Sequence, residues 1–224
     1  MKPRIKLAQT KLADGGMMAL FEQDGAFSMN YAGQELMHSR AQASEVLLRR
    51  GGVAHLDPSK DARVLVGGLG LGLTLRSVME STGPSVSVDV AELVPEVVAW
   101  NRTYLRELNA GALDQPNVKV MVGDAVALIM SSQPGRYDAI LLDLDNGPMA
   151  MVAEGNSRLY EKAGLQAVRR SLRPGGRAVF WSARPDDIFR TRLSQAKFKI
   201  TEVPAKVHEN AKRAAYRLYV AERP

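Results

Sequence analysis

Residues 64–72 read Val-Leu-Val-Gly-Gly-Leu-Gly-Leu-Gly, and no other stretch constrains the fold as tightly. A short apolar strand runs straight into a glycine-rich turn, and 73–80 then reads as a helix. Glycine removes the Cβ where backbone must approach a ligand, and it permits φ > 0 in the turn. The helix that follows offers unpaired N–H groups and a partial positive charge at its start. The spacing Gly68-x-Gly70-x-Gly72 departs from the dinucleotide fingerprint and on its own discriminates little. The sequel discriminates more: an acidic residue after the next strand, then Gly123-Asp124-Ala125, then Asp143-Leu144-Asp145.

The chain falls into two regions, 1–57 and 58–224. In the first, 18–21 and 26–31 alternate as strands around the Gln23-Asp24-Gly25 turn, and 34–37 adds a short third strand after Ala32-Gly33. This β-hairpin module is too thin to stand without packing on something larger. A helix is predicted over 40–50, closed by Gly51-Gly52, and Asp57-Pro58-Ser59 forms a linker. In the second region strands and helices alternate. Strands are predicted at 63–66, 86–91, 118–122, 139–142 and 177–182. Helices are predicted at 73–80, from Pro95 to 108, at 125–130, 156–171 and 185–196. Such alternation implies a doubly wound, mostly parallel sheet. The last two strands, 199–204 and 215–221, are joined without a helix and so read as antiparallel.

With 224 residues the chain supports one sizeable domain plus a small appendage. It has no cysteine, hence no disulfide framework and no thiolate nucleophile. His38, His55 and His208 are scattered without ligand spacing, and no metal site is expected. No apolar run reaches the ~18 residues of a membrane span, and the N-terminus lacks the apolar core of a secretory signal. The expected setting is cytoplasmic, with no membrane partner. The net charge of +6 is concentrated late, from Arg169 to Arg223. Such a surface can attract nucleic acid or an anionic substrate, although no aromatic-interleaved basic motif supports nucleic-acid stacking.

In open α/β sheets ligands lie at the carboxyl ends of the strands. The residues there can be named in order. After the first strand come Gly67, Gly68, Gly70 and Gly72. After the second comes Glu92, whose carboxylate can accept two ribose hydroxyl hydrogen bonds. After the third comes Asp124, which can accept from an adenine exocyclic amine. After the fourth come Asp143 and Asp145, facing the place of a cofactor's reactive end. Glu92 and Asp124 can equally cap the helices that begin beyond them.

On these residues the chain resembles the spermidine synthase-like group of the S-adenosylmethionine-dependent methyltransferase superfamily. The resemblance runs through the N-terminal hairpin, residues 64–76, Ala91-Glu92, Gly123-Asp124-Ala125, residues 137–143 and Leu172-Arg173-Pro174-Gly175-Gly176. It implies a seven-stranded, Rossmann-like methyltransferase sheet behind a small β-module. It implies that Glu92 binds ribose, that Asp124 with Ala125 binds adenine, and that Asp143 lies at the donor's amine end. Association as a homodimer is also implied.

The departures bear on the reaction. Spermidine synthases carry Gly-Gly-Gly-Asp-Gly-Gly before Thr-Leu-Arg. Aligned on Thr74-Leu75-Arg76, that Asp falls on Leu71. The family's Tyr-His-Glu becomes Ala43-Ser44-Glu45, and its Asp-Ser-Ser/Thr-Asp-Pro loop becomes Asp143-Leu144-Asp145-Asn146-Gly147-Pro148. The sequence therefore points to an S-adenosylmethionine-binding transferase, read first as a methyltransferase on a small-molecule acceptor. Aminopropyl transfer from decarboxylated S-adenosylmethionine to a polyamine is the alternative. A non-catalytic cofactor-binding protein and a nucleic-acid methyltransferase are further classes. In either transfer Asp143 or Asp145 serves as base or orients the acceptor.

Overall fold

The computed structural model describes residues 2–40, 43–142, 156–182, 184–205 and 216–224. Four strands open the chain: β1 (Ile5–Lys11), β2 (Met17–Gln23), β3 (Ala26–Tyr31) and β4 (Gln34–His38). They form an antiparallel meander in that order. Gln23 pairs with Ala26 and Tyr31 with Gln34, so both later hairpins close through two residues. Asp24 and Gly25 take φ of 50° and 73°, Ala32 and Gly33 of 48° and 83°. Two positive φ values in a two-residue loop match the right-handed twist of the flanking strands. Strand β1 escapes the sequence pattern because it is an edge strand, largely exposed, with Lys6 and Lys11 among its few apolar residues.

Helix α1 (Ala43–Val53) runs through Gly51-Gly52 rather than ending there. Both glycines serve packing. A Cβ on Gly51 would lie 2.8 Å from Val220 Cγ2, and one on Gly52 would lie 2.9 Å from Leu141 Cγ. They let the helix backbone settle directly on the second sheet.

That sheet contains β5 (Ala62–Gly67), β6 (Val86–Glu92), β7 (Val118–Val122), β8 (Tyr137–Leu142), β9 (Leu172–Ser182), β10 (Lys199–Ala205) and β11 (Tyr216–Glu222). Their spatial order is β10-β11-β9-β8-β5-β6-β7. The central five strands are parallel, and β11 runs antiparallel to both β9 and β10. Helices α2 (Leu73–Met79), α3 (Pro95–Arg102), α4 (Ala125–Met130), α5 (Lys162–Ser171) and α6 (Asp187–Gln195) flank it. Helix α3 stops six residues short of its expected end, where Thr103 Oγ1 donates to the Ala99 carbonyl at 2.9 Å. The helix expected over 156–171 is a 3₁₀ turn, Asn156–Tyr160, followed by α5.

Alternate residues of each central strand point to opposite faces. Val64 and Val66 join Leu75, Val97 and Trp181 on one face. Leu65, Ile140 and Leu142 join Ile129, Val168 and Phe189 on the other. Met18, Leu20, Met29 and Tyr31 of the N-terminal strands belong to the first cluster. The thin module is thus held up by the larger sheet of its own chain. Among the described residues no helix is long and apolar enough to cross a membrane.

Candidate functional site

The chain passes from β5 outward to β6 and β7, then returns to the other side of β5 as β8. This reversal opens a crevice above the carboxyl ends of β5 and β8. The strand ends are level: Gly67 pairs with Ala91 on one side and with Leu142 on the other, and Glu92 pairs with Val122. The expected site residues among the described part of the chain therefore share one rim.

The glycines divide by role. Gly67 has no left-handed requirement, and a Cβ there would lie 2.8 Å from Leu142 Cδ2, so it serves strand packing. Gly68, Gly70 and Gly72 take φ of 86°, 51° and 80°, a region that favours glycine. Gly68 N–H donates to the Ala91 carbonyl at 2.9 Å and Gly72 N–H to the Leu69 carbonyl at 2.8 Å, which fold the loop over the end of β6.

Glu92 lies beneath that fold and is 4% exposed. Its Oε2 accepts from Leu69 N–H and its Oε1 from Val94 N–H, both at 2.9 Å. Burial pushes its carboxyl above the ordinary value, partly offset by the surrounding backbone N–H groups. The residue thus fastens the glycine loop to the end of β6 through backbone N–H groups at both of its oxygens.

Asp124 caps α4: Oδ1 accepts from Val126 N–H at 2.8 Å. Its second oxygen lies 3.8 Å from the Arg158 guanidinium, so one oxygen is committed to the helix and one faces other partners. Ala125 turns its methyl into the apolar cluster beneath. Only its backbone is in a position to meet a ligand. Two residues without a role in the sequence argument join the rim. Leu93 is 45% exposed and Val122 is 57% exposed, immediately after and opposite Glu92. Exposed aliphatic side chains beside two acceptor carboxylates make a slot suited to a flat ring with polar edges. The signal lay in their position next to Glu92 and Gly123, not in their type. Leu71, in contrast, is 4% exposed and packs in the first apolar cluster. Its side chain is part of the core in this structure, against the expectation that position 71 faces a ligand.

Asp143 and Asp145 lie outside the described residues, though Leu142, which precedes Asp143, ends β8 at the crevice. Two strands from β5, a cavity of about 290 Å³ opens at the end of β9, lined by Tyr160, Glu161, Trp181, Asp186, Phe189 and Arg192.

No family model matches the sequence. The polyamine aminopropyltransferase of Mycobacterium tuberculosis is 36% identical over 124 residues, 54% of this chain and 23% of that protein. Putrescine N-methyltransferase 1 of Nicotiana tabacum is 34% identical over 115 residues, 51% of this chain and 28% of that protein. The matched part of this chain thus spans about a quarter of the length of these curated relatives. Spermidine synthase from Thermotoga maritima superposes with a TM-score of 0.73 at 16% identity, covering 98% of this chain and 73% of that one. A spermidine synthase in complex with the transition state analogue AdoDATO gives 0.70 at 16% identity, over 98% and 72%. The chain is therefore similar in sequence to polyamine aminopropyltransferases over about half its length, and it shares the fold of the spermidine synthases over nearly all of it.

Proposed function

We propose that the protein is a transferase that takes an alkyl group from an adenosyl sulfonium donor, and that the group is aminopropyl, passed from decarboxylated S-adenosylmethionine to an amine. The observation that carries the donor class is the single rim formed by Gly68, Gly70, Gly72, Glu92 and Asp124. The relatives carry the choice of group. The donor fits the residues present: the Glu92 carboxylate would meet ribose hydroxyls, Asp124 has one oxygen for an adenine amine, and Leu93 with Val122 would give the ring an apolar wall.

The sulfonium supplies an activated carbon and a neutral thioether leaving group. The chain's work is then positioning and proton removal. Glu92 and Asp124 hold the adenosine at β6 and β7, which directs the sulfonium toward β5 and β8. Asp143 or Asp145, just beyond β8, takes the acceptor's proton or orients its amine. The cavity at β9, two strands from β5, is the candidate acceptor pocket: Tyr160, Trp181 and Phe189 offer ring faces to a cationic amine, and Glu161 and Asp186 stand against Arg192 in its lining.

Methyl transfer from intact S-adenosylmethionine is the second reading, favoured by the lack of an acid at position 71. With Leu71 turned into the core, that position gives the decarboxylated donor's amine no acceptor and a carboxylate no repulsion. Replacing Leu71 by Asp would bury a charge in the core, so the clean test is donor choice by the wild-type protein. Calorimetry with both donors, followed by mass analysis of putrescine incubated with each, separates the readings. Tighter binding of the decarboxylated donor and an aminopropylated product support the first. Preference for the intact donor with a methylated product replaces it by the second, and binding of neither sinks both. Homodimerisation belongs to the same proposal. It would cover Ile5 and Met17, which remain exposed on the N-terminal strands, and light scattering reads it directly.

A further inference from the structure

Under the glycine loop lie two asparagines, Asn101 and Asn109, each 0% exposed. Asn101, on α3, donates through Nδ2 to the Gly70 carbonyl at 2.8 Å and to the Val97 carbonyl at 2.9 Å. Asn109 donates to the Asn101 carbonyl at 2.8 Å and to Asn101 Oδ1 at 3.2 Å. Its own Oδ1 accepts from Gly111 N–H at 3.0 Å. Both amides are thus fully used, and each fixes the other's orientation.

This clasp reaches the loop at two points. It holds the Gly70 carbonyl. It also fills the space beside Gly72, where a Cβ would collide with Asn101 Oδ1 and lie 2.9 Å from Asn109 Cβ. The Met37 sulfur of β4 would come within 2.9 Å of a Cβ on Gly70. Gly70 sits at φ 51°, a conformation that glycine enters and leaves at little cost. Nothing intrinsic to the residue keeps the following peptide in one direction.

We propose that Asn101, backed by Asn109, is a positioning residue for donor binding: it sets the direction of the Gly70–Leu71 peptide. Because the peptide is planar and trans, a carbonyl held toward α3 turns the Leu71 N–H the other way. Among the described residues no acceptor takes that N–H. The clasp thereby presents a donor, not a carbonyl oxygen, to the ligand side of the loop. Without it the peptide is free to rotate and set an oxygen there. The proposal rests on the reading of the crevice as the donor site.

The test is calorimetric binding of S-adenosylmethionine and of its decarboxylated form to wild-type protein, Asn101→Ala and a control, Asn117→Ala. Asn117 makes the same kind of bond, Nδ2 to the Val86 carbonyl at 2.7 Å, at the far end of β6. Its loss should lower the melting point while leaving affinity within about twofold. Asn101→Ala should weaken whichever donor binds by at least about fivefold. At saturating donor kcat should hold while the donor KM rises. If Asn101→Ala does not fold, Asn109→Ser loosens the clasp without removing the Asn101 amide and should show the same loss. Unchanged affinity in a folded Asn101 or Asn109 variant overturns the inference, as does an equal loss in Asn117→Ala. If wild-type protein binds neither donor, the functional reading fails first and takes this inference with it.

Discussion

Glu92 has a structural role and, in the proposed reading, a functional one. The backbone N–H groups at its oxygens, Leu69 and Val94 among them, would suffice to explain a buried carboxylate. In the proposed reading the same carboxylate also meets the ribose. Glu92→Gln separates the roles. An amide has one oxygen, so one backbone N–H would face an NH₂ group and the loop would lose a fastening. We expect donor affinity to fall at least about tenfold, equivalent to ~1.4 kcal/mol, with the fold retained by circular dichroism. Protonation should act in the same direction. Burial raises the Glu92 carboxyl above 4.5, so donor affinity should decline as pH falls through a range above that value. The sign for folding is opposite. A carboxyl whose folded value is raised favours the folded state most when protonated, so its contribution to stability diminishes as pH rises through the folded value. Affinity independent of pH across that range, or unchanged in Glu92→Gln, would remove Glu92 from the site. The position of this residue was legible because an acid after the second strand has a fixed place in a doubly wound sheet. The burial of Leu71 was not, since a loop residue's direction depends on neighbours far away in sequence.

At the scale of elements, the parallel strands and their order of appearance were readable from apolar runs separated by turn residues. Three features were not. Edge strand β1 lacks alternation strong enough to mark it. The segment over 156–171 breaks because Gly164 lets α5 approach the 3₁₀ turn closely, and a glycine in an otherwise helical pattern does not disclose that. Gly51-Gly52 read as a helix stop, yet they lie inside α1 where it meets β8 and β11. The local rule favours termination; tertiary contact reversed it. Gly52→Ala tests this. Alanine in a helix interior is favoured over glycine by about 0.8–1 kcal/mol. A Cβ 2.9 Å from Leu141 Cγ overpacks a buried strand residue, which costs about 1–3 kcal/mol. The packing effect is the larger, so Gly52→Ala should lower the thermal midpoint. A raised midpoint would mean that the helix and sheet do not meet as closely as described.

At the scale of the molecule, the two sheets share one core. Met18, Leu20, Met29 and Tyr31 pack with Val64, Leu75 and Trp181 in one cluster, and Met37 of β4 abuts the glycine loop itself. The N-terminal strands therefore abut the crevice, and we expect them to unfold with it. The two tryptophans, Trp100 and Trp181, lie on elements of the larger region, so their fluorescence follows the unfolding of that region. Leu20, on β2, is fully buried against it. Leu20→Ala removes buried methyl groups and should cost about 2–5 kcal/mol. If the chain is one cooperative unit, the tryptophan-monitored transition should shift to lower denaturant by that amount and coincide with the transition seen by far-ultraviolet circular dichroism. If the N-terminal strands formed a separate unit, the mutation would leave the tryptophan transition in place and split the two probes. Coincident transitions also bear on binding. Donor added to Leu20→Ala should restore part of the lost midpoint, because a ligand that binds only the folded chain stabilises every part coupled to its site.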